Sequence, residues 1–243
     1  MIPVDSLLYK IDQKLNKLST NDHQRIQLED KILALNEAQL KLIKEKVDGP
    51  PTPSGAGMDA TRKRYEDLQK LIEYWEDHPL DLKLTNKELN KWTASLSTIS
   101  PAYMLYVDAY VLADKGKCKD RKIWINRDLL AHGDIQFVLN NVHYKPSFEY
   151  QETCSYVASD QIDIFTDGTF TPTKLFLSYL RYPLYIDKEG YVKLNGKDSV
   201  TQDCELKNYL EDELVDLAVQ DLAGYTENAG AMSTAQSRIQ KNE

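Results

Sequence analysis

Cysteine is scarce in this sequence: Cys118, Cys154 and Cys204 are the whole supply, far apart and without a CxxC pair. An odd, scattered set argues against a disulfide framework, so the expectation is a reduced protein of the cell interior. Long apolar runs are missing as well. Nothing approaches the ~18 residues of a membrane span, and MIPVDSLLYKIDQK has no basic segment leading into an apolar core. A soluble chain with no export signal and no membrane partner is expected.

The chemical signatures of common enzymes are absent too. There is no HExxH, no GxSxG, no GK[ST] phosphate loop and no GxGxxG. Gly55-Ala-Gly57 follows a proline-rich stretch rather than a strand, which makes it a linker and not a phosphate cradle. Positive charge is short in most of the chain. The formal net charge is −8, and residues 65–243 hold 19 Lys/Arg against 29 Asp/Glu, whereas residues 1–64 hold 11 against 9. Binding to nucleic acid rests on cations neutralising phosphates, so this balance argues against sequence-specific DNA recognition.

What is present is periodicity. Val4, Leu7, Leu8, Ile11, Leu15 and Leu18 recur at three- and four-residue spacing and predict a helix over 4–18, with Ser-Thr-Asn-Asp at 19–22 as a turn. A second helix, capped near Asn21 or Asp22, runs to about Val47. Ile26, Leu33, Leu40 and Val47 repeat every seven residues beside Leu28, Ile32, Leu35, Leu42 and Ile43, an apolar arc of roughly 200°. Residues 1–47 thus read as a helical hairpin and 48–58, rich in Pro and Gly, as a linker.

A third helix is expected over 59–77, through Tyr65, Leu68, Ile72 and Trp75, ending at His78-Pro79. Thr85-x-x-Glu88 has the form of a capping box and predicts a fourth, ending before Pro101. Then alternation takes over. Leu105 to Val111, Lys115-Gly-Lys117 and Ile123 to Ile125 predict paired strands, although Tyr103, Tyr106 and Tyr110 also fit helical spacing. Asp134 is placed to cap a short helix through Asn141, and Lys145-Pro146-Ser147 is a loop. Ile162 to Phe165, Asp167-Gly168 and Leu175 to Tyr182 read as a hairpin.

Asn208-x-x-Glu211 is a second capping-box pattern, opening a helix that Gly224 stops. On it Leu210, Leu214, Val215, Leu217, Ala218, Val219 and Leu222 again cover about 200°. Asp212, Glu213, Asp216 and Gln220 form its polar face, read as solvated. Residues 228–243 hold only Met232 and Ile239 as sizeable apolar groups and form a tail or arm. The expected fold is α+β: N-terminal helices, a central small antiparallel β-sheet, and a C-terminal amphipathic helix with an extended tail, with 59–227 as the body.

Catalytic and metal-binding candidates are thin. His132 and His143 stand near Asp128, Asp134 and Glu149, but the spacing fits no metal motif, and Cys154 and Cys204 read as core residues. No catalytic residue, metal or cofactor is expected. The wide apolar arcs are the stronger signal, and they fit a contact between subunits or a thick intrachain core equally well. The candidate contact residues are Leu28, Leu35, Leu42, Leu210, Leu214 and Leu217, with Met232 and Ile239 of the tail.

Phe176-Leu-Ser-Tyr-Leu-Arg-Tyr-Pro183, Ile186-Asp187, Asp203-Cys-Glu-Leu206 and Glu213-Leu-Val-Asp-Leu-Ala-Val219 together resemble a recurring C-terminal pattern of crAss-like phage structural proteins. These are the ring, or head-to-tail connector, proteins of short-tailed phages. The likeness is close over 160–226 and looser over 85–160. Lys207 departs from it, standing where the pattern often has proline, and Asn208 is placed to take over by capping.

The resemblance implies a closed ring, commonly twelvefold, in the virion neck and assembled in the bacterial cytoplasm. Its partners would be itself, a portal or adjacent ring, and tail proteins, with genomic DNA passing through without specific binding. Two rivals stand beside it: an acidic cytosolic enzyme with a site assembled from His132, His143 and Asp163, and a coiled-coil adaptor built on residues 4–47.

Overall fold

The computed structural model describes residues 1–16, 26–48, 66–125, 135–193 and 196–225. They divide into two compact units, one made of Met1–Lys70 with Pro183–Glu243 and the other of Leu71–Tyr182. The sequence-based boundaries therefore shift: the chain leaves the helical unit, forms the β unit, and returns to the helical unit at Pro183.

In the helical unit, α1 spans Val4–Asn16, α2 spans Leu28–Asp48 and α4 spans Glu211–Tyr225. The spacing that predicted α1 is also what buries it, since Val4, Leu7, Ile11 and Leu15 are all in the core. Helix α2 ends where expected but begins at Leu28, and the caps proposed at Asn21 and Asp22 lie outside the described residues. Glu29 and Asp30 in its first turn suit the positive end of the helix dipole.

Helices α1 and α2 do not form a self-contained hairpin, because each packs mainly on α4. Ion pairs fix the directions. Lys10 meets Glu211 and Asp212, and Lys14 meets Asp216, so α1 runs parallel to α4. Lys46, near the end of α2, meets Glu213, near the start of α4, so these two run antiparallel. Helix α4 is buried from Leu214 to Val219 without a break. Each large aliphatic side chain so buried contributes roughly 1.5–3 kcal/mol.

The second capping box does not form. One turn of 3-10 helix at Asn208–Leu210 precedes α4, its N-cap is Lys207 with no side-chain bond, and the Asn208 carboxamide instead accepts from the Met1 ammonium at 3.5 Å. Glu211 is taken up by Ser6 Oγ and Lys10.

The β unit holds eight strands: β1 Ile72–Asp81, β2 Lys83–Asn86, β3 Lys91–Ser95, β4 Tyr103–Lys115, β5 Cys118–Ile125, β6 Glu152–Ala158, β7 Gln161–Phe165 and β8 Thr171–Arg181. Their order is β1-β8-β4-β5-β6-β7-β3-β2. The sheet is large and mixed, not small and antiparallel, because β5 and β6 pair in parallel through Trp124 with Glu152 and Ile125 with Thr153. Its two edges, β1 and β2, are successive in the chain and separated by Leu82 alone. Both halves feed one core containing Val111, Ile123, Leu175 and Leu177 from one side and Ala94, Ile162 and Ile164 from the other. Helix α3, Ile135–Asn140, stands with Cys154 and Phe165 in a smaller cluster. Asp134, its expected cap, lies outside the described residues.

Three expectations fail here. The third helix is replaced from Ile72 onward by β1, where Ile72, Glu73, Tyr74 and Trp75 pair with Leu180, Tyr179, Ser178 and Leu177. Pro79 is tolerated because β1 is an edge strand with a register shift between Trp75 and Leu80. The fourth helix is the β2–β3 hairpin: Thr85 Oγ1 bonds Thr93 Oγ1 at 2.8 Å, while Asn86 Oδ1 accepts from the amides of Glu88 and Leu89 and turns the chain. The third failure is the β7–β8 hairpin. Both strands exist, but β7 lies between β6 and β3 while β8 lies between β1 and β4. The β4–β5 hairpin forms as expected, turning at Gly116 with φ 58°. No described helix is long and apolar enough to cross a membrane.

Candidate assembly surfaces

Most of the candidate contact residues are consumed internally. Leu35, Leu42, Leu210, Leu214 and Leu217 are buried in the helical unit, and Leu28 is half-buried. Met232 and Ile239 lie outside the described residues. The wide arc of α4 is explained by helices on two of its sides. Its polar face is not simply solvated either, since Asp216 is 3% exposed and sits 2.7 Å from Lys14.

The arc of α2 is only partly spent. Ile32, Leu35, Leu42 and Ile43 face the core, while Leu33 and Val47 of the seven-residue repeat are 49% and 41% exposed, and Ile26 and Leu40 are half-buried. Beside Leu33 opens a groove of ≈ 600 Å³ lined by Glu29, Asp30, Leu33, Tyr185, Tyr191, Val192 and Lys193. Tyr185 and Val192 are exposed in it.

One wall is held rigid by Asp187, which is 2% exposed. It takes an ion pair from Lys193 at 2.6 Å, a bond from Tyr191 Oη at 2.7 Å, and the amides of Lys188 and Val200. Burial opposes its ionisation, yet these donors hold the carboxyl below the usual carboxylate range. The Tyr191 hydroxyl is correspondingly pushed up, by burial first and then by Asp187.

Ile186 and Asp203 to Glu205 take part in a clasp in this same unit. Asp203 Oδ1 accepts the Val4 amide at the start of α1 at 3.0 Å, and Ile2 and Cys204 exchange backbone bonds of 2.8 and 3.1 Å. Glu205 Oε2 accepts the Leu184 amide at 2.8 Å, Gln39 Nε2 donates to Cys204 Sγ at 3.9 Å, and Asn36 grips Ile186. In the β unit, Tyr179 Oη donates to the Pro101 carbonyl at 2.8 Å and Arg181 pairs with Glu73 at 3.0 Å.

The β unit carries a second surface, on the outer side of β8, β4 and β5. Tyr110 stacks on Phe176 with centroids 4.8 Å apart and planes 3° off parallel, and Trp124 lies 5.7 Å from Tyr110. The Lys122 ammonium sits 3.7 Å from the Tyr110 centroid and 4.1 Å from that of Trp124. Alternation in the sequence marks these side chains as outward; their meeting across three strands needs the pairing.

The groups proposed for catalysis do not assemble among the described residues. His132 lies outside them, His143 is exposed in the loop after α3, and Asp163 is fully buried on β7. Asp163 binds Lys91 at 2.7 Å and Thr93 Oγ1 at 2.6 Å. Burial works against its charge, but Lys91, Thr93 and Tyr156 hold its carboxyl below the usual range. Burial pushes the Cys154 thiol up to about 12 and the Cys204 thiol up to about 11, the reverse of what a nucleophile needs. No cluster of three potential metal ligands occurs among the described residues.

No known family model matches the chain, and no curated protein matches it.

Proposed function

We propose that this chain is a structural subunit of a phage neck, a ring or head-to-tail connector protein that closes on itself, joins a portal or neighbouring ring to the tail, and lets genomic DNA pass. The observation that carries this reading is the uncovered stripe on α2. Leu33 and Val47 stay exposed on a helix whose opposite face is fully packed, beside a groove with exposed Tyr185 and Val192. An apolar strip on a rigid element is what a repeating subunit contact uses.

The clasp supports the same reading. The residues that carry the resemblance hold distant chain segments together, as Asp203 does with Val4 and Glu205 with Leu184. The acidity of residues 65–243 also fits, since a wall that repels phosphate lets a duplex slide.

Light scattering and electron microscopy of the purified chain test the proposal. The expected result is a closed ring, with a mass near twelve times the 27.9 kDa of one chain. A monomer that persists when mixed with portal and tail proteins sinks it.

A further inference from the structure

We infer that the groove beside Leu33 seats the C-terminal arm, residues 228–243, of an adjacent copy, tying each subunit to the next. The inference rests on the ring reading, which supplies that adjacent copy. Two features of the groove select the occupant. Its floor is apolar, from Leu33, Tyr185 and Val192. Its charge outside ion pairs is negative: Lys193 is committed to Asp187, while Glu29 and Asp30 meet the positive end of the α2 dipole and have no ion pair among the described residues. The groove therefore calls for an apolar anchor flanked by cations.

The arm has that pattern. Ile239 stands between Arg238 and Lys241, and Glu243 is the arm's one acidic side chain, in a chain that is otherwise acidic after residue 64. From Tyr225, where α4 ends, to Ile239 is a reach of up to about 46 Å in extended chain, ample for crossing to a neighbour. The ring reading supplies the adjacent copy as the source of the arm, and the stripe that continues past the groove to Val47, roughly 21 Å along α2, is open to that copy as well. An arm of one copy seated in the groove of the next gives a head-to-tail contact, the kind that closes into rings.

Charge reversal tests this on the full chain. One variant carries Glu29→Lys with Asp30→Lys; the other carries Arg238→Glu with Lys241→Glu. Each alone is expected to assemble about tenfold more weakly by light scattering, with an unchanged circular dichroism spectrum. A one-to-one mixture is expected to recover full assembly, because every arm then finds a groove of opposite charge. Assembly of either variant at the parental strength overturns the arm while leaving the ring intact. Weakened variants that fail to rescue each other place the contact within one chain and overturn the exchange. A monomeric parent chain removes the ring reading and the arm together, and is read on the unaltered protein.

Discussion

The side-chain amide of Asn36 on α2 closes a two-way clamp on Ile186, donating to its carbonyl at 2.9 Å and accepting from its amide at 2.8 Å, across 150 residues of sequence. Asn36 is 7% exposed and also donates to the Ile32 carbonyl of its own helix. It serves both peptide groups of Ile186, while the neighbouring Asp187 is held by an antiparallel backbone bridge to Gln202. Asn36→Ala is expected to cost about 2–3 kcal/mol, because a buried peptide group loses both partners. Urea denaturation measures it, and a loss under 0.5 kcal/mol would show that the clamp holds nothing.

In the β unit the fully buried Asp163 pairs with the half-buried Lys91. Removing one member leaves the other stranded, so Asp163→Ala is expected to destabilise by ~3 kcal/mol. The double change Asp163→Leu with Lys91→Met should recover most of it. Thermal melts of the three proteins decide, and a double variant no better than the single one contradicts the account.

The same carboxylates set the acid limit. The folded pKa values of Asp163 and Asp187 lie below the unfolded value, about 3.9. Their stabilisation is therefore fully present above that value and is lost as pH falls through the folded values. Stability should decline below about pH 4, and Asp187→Asn should flatten part of that decline. A variant that keeps the parental acid profile would remove Asp187 from it.

Thiol labelling reads burial directly. Cys118 is exposed, while Cys154 and Cys204 are buried. At pH 8 a disulfide reagent should titrate one thiol rapidly in the native chain and the other two only after unfolding, since burial also keeps those two protonated. Fast reaction of all three would contradict the packing.

Gly168 has φ +77°, and a Cβ there would lie 2.9 Å from the Asn90 side-chain nitrogen. Gly168→Ala is expected to cost about 1–3 kcal/mol. Adding Asn90→Ala should return only the steric share, leaving the backbone share, as denaturation midpoints would show.

Helices α1, α2 and α4 were legible because their evidence is local: spacing of three and four residues states both that a helix forms and which side it buries. The β4–β5 hairpin was legible for the same reason, with Gly116 between two alternating runs. The exposed Leu33 and Val47 follow from the seven-residue repeat once α2's other face is known to be filled. Tertiary structure decided the rest. Ile72 to Trp75 suits a helix as well as a strand, and β8 makes it a strand by offering an unpaired edge. Thr85 and Glu88 match a capping box, but Thr93 and Asn86 claim the backbone first. Strand partners are a property of two distant segments, so neither segment announces them. Burial of the contact candidates follows the same rule. Leu35 and Leu214 look identical as core or as interface until the chain returns at Pro183 and brings α4 to α1 and α2.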